Sequence, residues 1–434
     1  MSLRILLAVC VALIPISALA QATEGNARRA TVISGVAVGA EVLFQRGDQQ
    51  SVSDARSDRG HGLKLDARWR VDNRAQLGAV DGLLHLAAGV TSIRVTTGDQ
   101  RTFTQRVTRL ERVEALGPRV FSAGLMEGAA ASAAGDNRIP DSAVDIEKRV
   151  LAYAQKGFGQ IHIASSVRRE WVPLIARIAH ARGLRVSSEV VAQANAENTI
   201  GAGADALQQA SIKPLMMADG DLSIPASGTR FEPKFEEPKS LSVPDPCERA
   251  LIQMLAARGV VVTSSINMLE CRFQAARGQI EPGYLAVVAR LPPQIRRALQ
   301  QGRDLPVADT ATNAKLVAAS FSFLRSMRAA GVLLTLGSGG MPGFSPLREL
   351  ELYAAAGIPN ADILRTATVG SAQANRRDHA LGSIKPGSLA DLVLLDGDPL
   401  ARIADIRRAR WVMKGGVRFD VKALYAELGV GFNP

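Results

Sequence analysis

The hydrophobic rhythm of the chain changes twice. From Ala30 to about Val71, short apolar runs such as "TVISGVAV", "EVLFQ" and "GLKLDARWRV" are punctuated by Gly and Asp, which predicts short strands. From about residue 72 to 375 the repeat is a helical run, a glycine and then a β-branched run. "AVDIEKRVLAYAQKGFGQIHIASSV" and "WVPLIARIAHARGLRVSSEVV" show it twice in succession. "ENTIGAGADALQQASI", "CERALIQMLAARGVVVTSSINML" and "FSFLRSMRAAGVLLTLGSGG" continue it. Seven or eight such units predict parallel strands joined by crossover helices. The expected fold is therefore α/β, a (β/α)8 TIM-like barrel rather than an open sheet.

After helices predicted at about 346–356 and 360–375, "GSIKPGSLADLVLLDGDP" and "ARWVMKGGVRFD" return to the strand pattern. Residues 30–71 and 376–420 are thus expected to build one small β-sandwich domain from both chain ends, with the barrel of residues 72–375 inserted between them. Residues 21–29 read as a polar, flexible start and 421–434 as a C-terminal tail. Two stretches interrupt the barrel rhythm, at 213–246 and 273–310. Each follows a strand, so each is expected to cover the C-terminal mouth of the barrel, where loops commonly shape a ligand site.

Composition narrows the partners. Of 434 residues, 47% are hydrophobic and 21% charged, which fits a folded globular chain. Aromatics at 4% leave little for stacking on single-stranded nucleic acid, and the formal charge of +11 is dispersed rather than gathered in a basic block. No nucleic-acid partner is expected. The first twenty residues have Arg4, the apolar run "ILLAVCVALIPISA" and the small-x-small site Ala18-Leu19-Ala20. This is the pattern of a signal peptide cut before Gln21, with an uncleaved anchor as the alternative. An exported chain, periplasmic or secreted, follows, and no later stretch is apolar enough to span a bilayer. Cys247 and Cys271 then either pair as a disulfide or remain two separate thiols.

Several segments resemble one family, in the right order. "LGSIKPGSLADLVLLDGDPL" with "RRARWVMKGGV" resembles the closing segment of the amidohydrolase superfamily. "LLHLAAGVTSIRV" is similar to its early helix and second strand, and "GFGQIHIASSV", "AHARGLRVSSEV" and "GADALQQA" to its fourth, fifth and sixth strand units. "LRELELYAAAGIPNADILRTATVGSA" is similar to the helices after its last strand. The likeness covers nearly all of residues 30–420 and is densest with exported imidazolonepropionase-like and prolidase-like members. It implies hydrolysis of C–N bonds (amide, cyclic amide or dipeptide) by a metal-bound hydroxide.

The ligand positions of that family do not carry ligands here. The family places Asp-x-His-x-His on strand one, Lys or Glu on strand four, His after strands five and six, and Asp after strand eight. In "VDNRAQL", Asp72 matches the first aspartate, but Arg74 and Gln76 replace the two histidines. His162 stands at the strand-four position, Glu189 and Gln209 at the two later histidines, and Gly339 at the aspartate. Leu347 occupies a position expected to be polar. Of five histidines, His61, His85, His162, His180 and His379, only His162 is placed to face the mouth. His162 and Glu189 alone cannot hold zinc, so no metal and no cofactor is expected.

Two readings of the altered centre follow. In one, Arg74 pairs with Glu189 while Gln76 and Gln209 complete the hydrogen bonds, and the chain is a non-catalytic exported pseudoenzyme. Its partner would be a small molecule in the barrel mouth, a second copy of the chain or an active paralogue. In the other, His162 and Glu189 act as a metal-independent acid–base pair. Ser165, Ser166, Ser187, Ser188 and Ser338 lie near strand ends, but none has an evident base.

Overall fold

A computed structural model of the chain describes residues 31–34, 36–44, 79–97, 101–111, 116–128, 142–191, 194–208, 246–268, 270, 279–300, 310–337 and 340–432. Its centre is a parallel sheet in strict sequence order: β2 (Val36–Phe44), β3 (Val90–Thr97), β4 (Arg119–Met126), β5 (Gln160–Ile163), β6 (Arg185–Ser188), β7 (Ala206–Leu207), β8 (Val261–Ser264) and β9 (Leu334–Leu336). The sheet curls until β2 approaches β9, giving a TIM-like barrel. Helices α1 (Ala79–Ala87), α2 (Arg101–Glu111), α3 (Ala143–Gln155), α4 (Val172–Ala181), α5 (Ala196–Gly201), α6 (Pro246–Ala257), α7 (Pro293–Gln300) and α8 (Thr310–Ala329) lie between or after the strands. After β9 come α9 (Phe344–Ala355), α10 (Asn360–Arg365) and α11 (Ser371–Ala374), the last two joined by a π-turn over Thr366–Gly370.

The local causes are visible in α3. Ser142 is its N-cap, accepting from the Asp145 backbone N–H, and Ile146, Val150 and Tyr153 form its buried stripe. The Tyr153 ring lies flat over Gly124 of β4, where any side chain would overlap it, and its hydroxyl donates to Leu125 O at 2.8 Å. The strand units are apolar on their outer face because the helices cover them.

A second, antiparallel sheet has the order β1 (Thr31–Ser34), β10 (Leu392–Leu395), β11 (Ala409–Lys414), β12 (Val417–Asp420). Both chain ends do build it. Among the described residues it is a single four-stranded sheet rather than a sandwich. The expected boundary is corrected at one point: Val36–Phe44 joins the parallel sheet beside β3, although residues 30–71 were assigned to the small domain. Long apolar stretches separated by a single glycine do not reveal which sheet each strand joins. The expected tail is also more than a tail, since Val421–Glu427 is a helix, α12, capped by Asp420 and docked near α1.

Lys414 fastens the small sheet to the barrel. It is 4% exposed, and its Nζ donates to Leu110 O at 2.9 Å and Gly117 O at 2.8 Å. Burial, with nearby Arg119, pushes its pKa down to about 8. Beside it, Asp391 accepts from Gly415 N at 2.7 Å and sits 3.6 Å from Arg119. Replacing Lys414 by Met keeps the stem but leaves two carbonyls without their donor. We expect Lys414→Met to cost about 2–3 kcal/mol, read as a lower urea midpoint.

Candidate functional site

The barrel interior is polar. Arg94 on β3 donates to Gln160 Oε1 on β5 at 3.3 Å and to Thr263 Oγ1 on β8 at 3.4 Å. A hydrogen bond between strands so far apart in the sheet order can only cross the inside of the barrel. Thr263 shares a 2.9 Å hydrogen bond with Thr335 of β9. These four side chains form a buried layer in the barrel.

Two residues along β5 from Gln160, and so on the same inward face, comes His162. It is fully buried, and its Nδ1 lies 3.0 Å from Ser187 Oγ on β6. Ser187 pairs in register with Ala206 of β7, so Gln208, two residues on, also faces inward. Gln208 was not singled out by the sequence, which pointed to its neighbour Gln209. It is 2% exposed, and neither its Oε1 nor its Nε2 has a hydrogen-bond partner. An amide buried in this way costs about 1–3 kcal/mol. The signal available in the sequence was parity alone: Ala206 and Gln208 alternate with Leu207.

Glu189, directly after β6, accepts from Ser165 N at 2.9 Å through Oε2. It therefore pins the turn after β5. No hydrogen bond or ion pair joins it to His162, so the two candidates share the mouth without forming an acid–base pair. Arg74, Gln76, Gln209 and Gly339 lie outside the described residues, as do Ser338 and Cys271. The Arg74–Glu189 pairing and the Cys247–Cys271 disulfide therefore fall there too. Cys247 is exposed at the start of α6. Ser188 spends its hydroxyl on Glu189 O at 2.6 Å, and Ser166 Oγ accepts from Gly128 N at 3.0 Å. Both serines serve the turns.

The loop after β9 is clamped from outside. In the second insertion, Tyr284 reaches the loop with its hydroxyl, which accepts from Met341 N at 2.8 Å and lies 3.2 Å from Ser345 Oγ. Gly340 has φ 106, and a Cβ there would overlap Tyr284 Oη. A Cβ on Gly337 would overlap Ser264 O. Thus Gly337 and Gly340 each stand where a side chain would overlap a neighbour. This insertion does border the C-terminal end of a barrel strand, as expected. The other, 213–246, lies outside the described residues apart from Pro246. The insertion is also held by the chain's end, since Arg290 Nε donates to Gly431 O at 2.7 Å.

Glu349 on α9 was missed by the sequence reading, which stopped at the neighbouring apolar Leu347, here 2% exposed. Its carboxylate is fully buried. Oε1 accepts from Ser264 Oγ at 2.6 Å and Ile266 N at 2.9 Å, and Oε2 accepts from Asn267 N at 2.8 Å. Burial pushes its pKa up to about 7 against these donors. It holds the segment after β8, which Arg348 also grips by a fork onto Glu270 at 2.6 and 2.8 Å.

The described part of the mouth does not fit a metal ion. It offers one imidazole, with Nδ1 against Ser187, and one carboxylate, with Oε2 accepting from Ser165 N, and no group of three His, Cys, Asp or Glu converges among the described residues.

Residues 83–418 match the model of the Amidohydrolase family. The chain belongs to the amidohydrolase family. Among solved structures, this amidohydrolase is similar to a putative prolidase from Bifidobacterium longum, at 18% identity and TM-score 0.60, covering 91% of this chain and 84% of that one. It is also similar to a Xaa-Pro dipeptidase with bound methionine in the active site, at 16% identity and TM-score 0.57, over 92% and 90% of the two chains. Bottromycin amidohydrolase gives 18% identity and TM-score 0.59 over 80% and 75%. At these identities the likeness concerns the fold. A search of curated protein sequences gives no match.

Two expected outcomes follow. Tyr284→Phe strips the Met341 N–H of its acceptor and should lower stability by about 1–2 kcal/mol, whereas Gly340→Ala should cost more because φ and space both forbid it. The second concerns His85, whose Nδ1 accepts from Gly343 N at 3.3 Å and whose pKa burial pushes down to about 3. The folded state keeps it neutral, while the unfolded chain takes up a proton near pH 6.5. Its contribution is complete above pH 6.5 and is lost progressively as pH falls towards 3, up to on the order of 4–5 kcal/mol. His85→Asn keeps an acceptor but cannot titrate, so its urea midpoint should fall less between pH 6.5 and pH 4 than that of the native chain.

Proposed function

We propose that this amidohydrolase is an exported, non-catalytic member that binds an amide-bearing small molecule in the barrel mouth. The observation that carries the reading is Gln208: a buried amide aimed into the barrel with donor and acceptor both unused. A ligand amide presents the complementary acceptor and donor and would relieve that cost on binding. Amide and dipeptide bonds are the substrate class of the family, so retained recognition with lost hydrolysis needs only the ligand positions to change. Gln209 and Gly339, at the positions after strands six and eight, support the loss, since neither offers a metal the imidazole or carboxylate it needs; Arg74 and Gln76 carry no weight, because the strand that pairs with β3 is Val36–Phe44. The leader-like first twenty residues support export. Metal-independent hydrolysis by His162 and Glu189 is less well supported, because the two groups are turned to Ser187 and Ser165 respectively.

The test combines metal analysis, a hydrolysis screen and calorimetry with acyl-proline dipeptides and cyclic amides. The expected result is no stoichiometric zinc, no turnover, and binding that weakens at least tenfold in Gln208→Leu. That variant should fold at least as well as the native chain, because it removes an unsatisfied buried amide. Stoichiometric zinc with turnover, or equal binding by Gln208→Leu, would sink the reading.

A further inference from the structure

The opposite end of the barrel holds a cavity of about 330 Å³, lined among others by Arg185, Arg258, Arg376, His180 and Asp205. Arg185 begins β6, Asp205 directly precedes β7, and Val260, also in the lining, directly precedes β8. The cavity therefore opens at the N-terminal ends of three adjacent strands, away from Gln208 and the mouth.

Its charge is unbalanced. Three guanidiniums meet one carboxylate. Asp205 is already engaged, with Oδ2 accepting from Val186 N at 2.7 Å and lying 3.0 Å from His180 Nε2. Arg185 donates to Ala374 O and, at 3.3 Å, to Asp205 O, while its buried Nε has no partner. The Arg258 and Arg376 guanidiniums make no hydrogen bond or ion pair among the described residues. Burial foremost, and the nearness of Arg376, depress the Arg185 pKa against the pull of Asp205.

The backbone adds an independent observation. Arg376 has φ 54, the only left-handed non-glycine among the described residues. It lies just after α11, a place where helices commonly end on glycine. Arginine accepts strain there that glycine would avoid, and what it brings in exchange is a charge at the cavity.

We propose that this cavity is an anion site for a small dianionic oxyanion, namely a phosphate group. Three arginines against one aspartate leave two positive charges, which match a phosphate dianion better than a single carboxylate. Guanidinium forks suit phosphate oxygens, and a bound dianion offsets the repulsion between Arg185 and Arg376. Free phosphate and a small phosphomonoester share this chemistry, and the volume admits either.

The experiment is thermal melting and calorimetry of the whole protein with inorganic phosphate and, separately, glycerol phosphate, each against sodium chloride at matched ionic strength. A saturable rise in melting temperature with phosphate is expected. Binding should weaken at least tenfold in Arg376→Gly and in Arg258→Ser. Arg376→Gly should melt no lower than the native chain without phosphate, since glycine takes this φ freely, so its loss of binding is not loss of fold. Tighter binding of glycerol phosphate identifies a phosphomonoester site, and tighter binding of inorganic phosphate a site for the free ion. A response to phosphate no greater than to chloride, or a full response retained by Arg376→Gly, overturns the proposal.

Discussion

The constraint on which the rest of this barrel depends is a buried charge. Arg94 stands inside the sheet, and a guanidinium removed from water must be given acceptors. Gln160 and Thr263 supply them from strands well separated in the sheet order, and Thr335 extends the layer. An apolar barrel filling would need only volume. This one needs β3, β5, β8 and β9 in fixed register, because one residue of slip would turn each polar group outward. The polar interior continues through His162 and Ser187 to Gln208, so the chemistry of the mouth rests on the same alternation that fills the barrel.

Above that layer, rigidity comes from tethers between distant segments. Glu349 and Arg348, on neighbouring positions of α9, hold the chain after β8 by two backbone N–H groups and by Glu270. Glu351 joins Arg348 to Arg407 beside the small sheet. Tyr284 fixes the loop after β9, and the end of the chain fixes the insertion that carries Tyr284. The described segments around the mouth are thus held by a mesh of side-chain-to-backbone bonds.

The barrel, its parallel strands and the return of the chain ends to one sheet were legible in the sequence, because a helix stop and a β-branched run repeat at a spacing only crossover connections satisfy. Family membership was legible from segment order, and the family match over residues 83–418 agrees with it. His162 was legible as inward-facing. Gln208 was not, because choosing between adjacent glutamines needs the register of a strand only two residues long. Glu349 was hidden for a related reason: "LRELELY" reads as an exposed charged helix face, and only packing turns one of its glutamates inward.

The sequence by itself determined the fold class and the family, since each is carried by residue type and order along the chain. The tertiary structure alone decided which polar groups meet. Arg94 finds Thr263 across 169 positions, Lys414 finds Leu110 across 304, and three arginines converge at the strands' N-terminal ends. The reason is physical. A hydrogen bond or a charge interaction acts over a few ångströms in space, and distance along the chain says nothing about that separation until the barrel has closed.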